Sequence, residues 1–146
     1  MGDPEPQPRA FDLRDYVDFD LERATAVRVV ATDVVAVDVV CLEPRQAVQA
    51  RAFPTADAVY TVLAGMAWLV TDDAEVTLEA LQTALVPAGV PHGIRNNSPD
   101  PLILQLVTSP PDEAPAVAAS PPSHERRRRT SAGRGIAERL RRGLSG

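Results

Sequence analysis

Between residues 27 and 108 the chain is a succession of short apolar runs, none of them with helical spacing. The runs are Val27–Thr32, Asp33–Leu42, Ala47–Phe53, Ala58–Leu63, Met66–Thr71, Glu75–Glu79, Thr83–Pro87 and Leu102–Thr108. They are rich in Val, Leu and Ala and are bounded by turn residues, which is the pattern of strands. Asp72 and Asp73 stand between two such runs and predict a hairpin turn. Pro44, Pro54, Pro87, Pro91, Pro99 and Pro101 fall at run ends, where a missing N–H disturbs a sheet least. Many short strands at close spacing predict an all-β sandwich or barrel. Phe11–Arg23 is open between a short helix and a lead-in strand.

Within this frame, Pro87–Asn96 reads PAGVPHGIRN. It resembles the second signature of the cupin family, PxGxxHxxxN, at every fixed position. Upstream, RAFPTADAVYTVLAG at 51–65 is similar to the scaffold of the first signature, HxH(x)4E(x)6G. Pro54, Ala56, Asp57, Val59, Val62, Leu63 and Gly65 match that form, and Pro44 stands where the family has a Pro-Gly turn. Leu81-Gln82 departs from the Gly-Asp that opens the second signature. The resemblance spans residues 10–110. It implies a cupin-type double-stranded β-helix, a jelly-roll barrel with its site in the mouth, and a homodimer. It also implies four metal-ligand positions, which fall on Arg51, Phe53, Ala58 and His92. Only His92 is of a ligating type, so the metal site is degenerate.

A divalent metal needs three or four N, O or S donors converging on one point. Arg51 would oppose a cation and Phe53 would fill its space, so no metal and no other cofactor is expected. Asp57 is one residue from the lost glutamate, but a one-residue step on a strand turns the side chain to the opposite face. His92 has three readings: a hydrogen-bonded interior histidine, a ligand contact beside Arg51, or a general base in a metal-free enzyme. A base would want a carboxylate partner, and none is expected on the inward face near it. Arg51, facing inward, would want an anion such as a carboxylate or phosphate; snorkelling to the barrel mouth is the alternative. The candidate ligand-binding set is therefore His92, Arg51, Phe53 and Tyr60, with no residue assigned as catalytic. Tyr60 and Trp68 also suit a core or a dimer interface. Asn96 is expected to form the turn after the second signature.

Charge divides the chain in two. Residues 1–122 hold 7 Arg and 18 acidic residues, a net of −11, and residues 123–146 hold 8 Arg and 2 Glu, a net of +6. Residues 111–123 are rich in Pro, Ala and Ser and predict a flexible linker. In 124–146, Arg126, Arg127, Arg128 and Arg129 form a basic run. Beyond it Ile136, Leu140 and Leu144 recur every four residues, a short amphipathic helix pattern that needs a surface to dock on. An acidic protein partner suits this tail best; membrane-surface or nucleic-acid contact fits less well, because the acidic body would be repelled. An intramolecular return to the body competes. The one cysteine, Cys41, lies in an apolar run and suits a buried thiol in a reducing compartment. With no signal-like segment at the N-terminus, a cytoplasmic protein is expected. Function narrows to a non-catalytic or metal-free cupin domain that binds a small ligand, anionic if Arg51 faces it, or acts as an adaptor through its tail. The alternative is an enzyme, either a metal-free isomerase or epimerase, or a metal enzyme with an atypical ligand set.

Overall fold

The computed structural model describes residues 6–111 and, within them, nine strands and one 3-10 turn. The strands are β1 (Thr25–Ala31), β2 (Ala36–Leu42), β3 (Ala47–Arg51), β4 (Asp57–Ala64), β5 (Ala67–Val70), β6 (Glu75–Leu78), β7 (Thr83–Val86), β8 (His92–Arg95) and β9 (Leu102–Ser109). They form a five-stranded sheet in the order β1-β2-β9-β4-β7 and a four-stranded sheet in the order β3-β8-β5-β6. Every pairing is antiparallel. The expected all-β barrel is what forms.

The main core lies between the sheets. Val40 and Leu42 of β2, Ala58, Tyr60 and Val62 of β4, and Leu104 and Leu106 of β9 meet Leu69 of β5 and Ile94 of β8 there. Their spacing of two residues is the strand period. A second, smaller cluster covers part of the larger sheet's outer face, where Val17 and Phe19 pack on Val39, Cys41 and Ile103. This explains why β2 is an almost unbroken apolar run and does not alternate. Its two faces are both buried, as in strands of covered sheets. The covering segment is neither the helix nor the strand left open by the sequence. It is a 3-10 turn, Leu13–Tyr16, capped by Asp12, whose side chain accepts from the Arg14 amide at 3.0 Å. Cys41 is buried in this layer, and burial pushes its thiol up to about 12.

Eight of the nine strands overlap the runs read from the sequence. The ninth, β8, is His92-Gly93-Ile94-Arg95, central in the smaller sheet between β3 and β5. Four residues containing a glycine and preceded by Pro91 carry no strand pattern. Gly93 is needed for close approach: a Cβ there would lie 3.1 Å from the Val48 carbonyl oxygen. Gly65, between β4 and β5, has φ +87° and a Cβ on it would meet the Pro101 carbonyl oxygen at 2.4 Å, so no other residue fits. Arg45 and Leu81 also have positive φ, both +72°. These are the positions where the related family uses glycine, and each costs about 1–2 kcal/mol in an L-residue with a Cβ. The linker 111–123, beyond its first residue, and the tail residues Arg126, Arg127, Arg128, Arg129, Ile136, Leu140 and Leu144 lie outside the described residues.

Candidate functional site

Two strands of the smaller sheet and one of the larger bring the candidate residues together. Arg51 ends β3 and faces His92, the first residue of β8, across a ladder with a bulge between Val48 and Arg51. Phe53 follows β3 and is buried, at 2% exposure. From the opposite sheet, β4 points Ala58, Tyr60 and Val62 inward, all fully buried or nearly so. The Phe53 and His92 ring centroids are 5.6 Å apart, and those of Tyr60 and His92 are 5.4 Å apart, edge to face. The Arg51 guanidinium lies over the Phe53 ring, 5.1 Å from its centroid, within cation–π range.

His92 is engaged at both ring nitrogens. Nδ1 is 2.9 Å from the Val90 carbonyl oxygen, and Nε2 is 2.7 Å from the Tyr60 hydroxyl. A carbonyl can only accept, so Nδ1 carries the proton and Nε2 presents its lone pair to the Tyr60 O–H, which donates. Burial holds His92 below the usual histidine range. The Val90 carbonyl works against that, and the Arg51 charge adds to it. Burial likewise raises the Tyr60 phenol well above its ordinary value, partly offset by Arg51. The centre is thus a neutral His–Tyr pair in an apolar shell, beside one permanent cation.

These residues do not fit the metal that the fold family implies. Of the four ligand positions, Arg51, Phe53 and Ala58 offer no donor to a cation, and the one histidine spends its free lone pair on Tyr60. Among the described residues, no group of three or more His, Cys, Asp or Glu comes together that could hold a metal ion. Asp57 points away: it is exposed, and its carboxylate accepts the Ala88 amide at 2.9 Å. Asn96 is fully buried. Its amide donates to the carbonyl oxygens of Leu42 and Asp100 at 3.1 and 2.8 Å, and its oxygen accepts the Ser98 amide at 3.1 Å. It pins the turn after β8 to the end of β2.

Two features escape a reading of the sequence. The Tyr60–His92 bond joins residues 32 positions apart. Its one signal is alternation, which puts Tyr60 on the same face as Ala58. The second is Asp38, an inward carboxylate. The register Asp38–Leu106–Tyr60 runs straight across β2, β9 and β4, so Asp38 sits in the same inner row as Tyr60, about 10 Å away at ordinary strand spacing. Its carboxylate is held by Arg28 of β1 at 2.9 and 3.2 Å, while both ring nitrogens of His92 bond to Tyr60 and Val90.

The cupin domain family matches residues 38–108. A solved structure, TT1209 from Thermus thermophilus, is 31% identical, with 69% of this chain and 96% of that one covered and a TM-score of 0.66. This chain belongs to the cupin superfamily. An uncharacterized conserved protein with a double-stranded beta-helix domain from Klebsiella pneumoniae is 26% identical, covering 71% of this chain and 91% of that one, with a TM-score of 0.67. An RmlC-like cupin from Desulfovibrio desulfuricans shares the fold at 20% identity, covering 72% and 99%, with a TM-score of 0.65. Among curated proteins none matches. Among the described residues no helix is long and apolar enough to cross a membrane.

Proposed function

We propose that this cupin is a metal-free binding or adaptor domain and not a metal enzyme. The observation that carries the reading is the double engagement of His92, whose Nδ1 serves the Val90 carbonyl and whose Nε2 is taken by Tyr60. A ligand would instead meet the half-buried Arg51 guanidinium, which rests on the buried Phe53 ring and suits a small carboxylate or phosphate. The basic tail then serves to reach an acidic protein partner, and the chain works as a homodimer.

Metal content of protein purified without tag or chelator tests the first part. Only traces of iron, manganese, nickel or zinc are expected; stoichiometric metal lost in His92→Ala overturns it. Thermal shifts with inorganic phosphate and with citrate test the second. A rise in Tm that Arg51→Ala removes supports the anion site, and no rise in the parent protein overturns it.

One observation favours a second reading, a metal-free isomerase. A hydrogen-bonded His–Tyr pair is a general base and acid in contact. Against it, His92 and Tyr60 are 3% and 2% exposed, so a substrate would have to open the barrel to reach them.

A further inference from the structure

The larger sheet's outer face is covered only in part. Beside the 3-10 turn a groove of about 640 Å³ remains, lined chiefly by Phe11, Leu13, Leu63 and Leu81, with Asp12, Arg14 and Asp15 on its rim and Arg14 paired to Asp12 at 2.7 Å. That volume is within the range of clefts that hold ligands, about 300–1,000 Å³. Leu81 is 81% exposed and Phe11 39%. The loop that carries Leu81 is fixed: its amide donates to the Val62 carbonyl at 2.7 Å, and the Gln82 carbonyl accepts the Val62 amide at 3.0 Å. A leucine held outward at φ +72° gains nothing within the described residues.

We infer that this groove is the docking site of the chain's own tail, residues 134–144. Three observations converge on that occupant. The first is chemistry. The tail offers Ile136, Leu140 and Leu144 at helical spacing, flanked by Arg134, Arg139, Arg141 and Arg142. An apolar stripe with basic flanks matches an apolar groove whose rim, with Arg14 paired to Asp12, keeps the one net negative charge of Asp15.

The second is charge. Residues 1–122 carry a net of −11 and residues 123–146 a net of +6, so the body attracts its own tail over a Debye length of about 10 Å at 0.1 M salt.

The third is reach. The described chain leaves the barrel just after Ser109, which pairs with Asp57 at one end of β4, whereas Leu63 of the groove lies near the other end. Six residues of strand make that span about 20 Å. Pro111 and Ile136 are 25 residues apart; a Gly-rich coil of that length has an end-to-end distance of about 25–30 Å and prolines extend it further. The segment is therefore long enough to cross the span, and tethering raises the effective concentration of the tail at the groove, so even a weak helix–groove contact is populated. An external partner must then displace the tail, which makes the groove a built-in competitor for whatever the tail binds elsewhere.

The test uses the full chain with Ser145→Cys carrying a nitroxide; Cys41, buried with a raised pKa, stays unlabelled. In dilute isotope-labelled protein, the amide signals of Phe11, Leu13, Leu63 and Leu81 are expected to broaden relative to the reduced sample. Leu140→Asp and, separately, Leu81→Asn should abolish that broadening. Asn is at ease at positive φ, so the second variant keeps the fold and removes the groove's outer wall. A mixture of isotope-labelled chain without nitroxide and unlabelled chain with it should show no broadening. Broadening in that mixture means the tail docks on a second copy, and its absence everywhere means the groove has another use; either result overturns the inference. Metal content and anion binding are read independently of the tail, so the proposal for the barrel stands or falls separately.

Discussion

The two sheets carry different duties. The larger sheet is buried on both faces over much of its width: β2 has six of seven residues buried and β9 five of eight. The smaller sheet is less covered: β8 has three buried residues of four, but β3 has one of five and the edge strand β6 has three exposed residues of four. Yet Arg51 and His92 both belong to the smaller sheet. Stability is concentrated where both faces find partners, and Arg51 is placed at the end of the edge strand β3, beside His92 on the central strand β8 of the thinner sheet. Among the described residues, Tyr60 is the hydrogen-bonded link from the strong sheet to His92 on the weak one.

The largest test of this division is Phe19→Ala in the outer layer. Phe19 is 2% exposed, and removing a buried phenyl costs about 3–5 kcal/mol. Urea denaturation should show that loss, while Val76→Ala on β6, 44% exposed, should stay within about 0.5 kcal/mol. A small cost at Phe19 would mean the outer layer is an ornament and the two sheets are alike. Next is Tyr60→Phe, which keeps the ring and strands the His92 lone pair. A buried acceptor left unmade costs about 1–3 kcal/mol, again read by denaturation. A neutral result would mean His92 finds another donor and the link between sheets is dispensable.

The smallest effect is on pH. His92 is held below its ordinary pKa by burial, so the unfolded chain binds the proton more readily than the folded one. Stability from this group is therefore fully present above the unfolded value, about 6.5, and declines as pH falls below it. The slope is at most about 1.4 kcal/mol per pH unit for one group. His92→Gln should flatten the part of the profile just below pH 6.5, and an unchanged profile would assign it to other groups.

Much of this was legible in the residues because two periodicities carried it. Alternation announces β4, where Ala58, Tyr60 and Val62 face in, and the signature spacing places Arg51, Phe53 and His92 in one neighbourhood. β8 was silent, because four residues with a glycine and a proline neighbour look like a loop until β3 and β5 pair with them. The positive φ of Arg45 and Leu81 was silent too, since neither is a residue that favours it and only the tertiary fold imposes it. Asp38 was hidden for a different reason. Both faces of β2 are buried, so a lone acidic residue within an apolar run does not declare which way it points.

The position of β9 has a consequence for how the barrel comes into being. The last strand among the described residues is the middle strand of the larger sheet, between β2 and β4. Until it arrives, β1–β2 and β4–β7 are two separate ribbons, each with a bare edge open to wrong pairings. A chain made from its N-terminus therefore cannot close the sheet piecemeal. Folding waits for residues 102–109, joins both ribbons at once, and should be slow and sharply cooperative, as non-local β-pairing requires. Any nascent or nicked form that ends before Leu102 would be an aggregation hazard and not a smaller cupin.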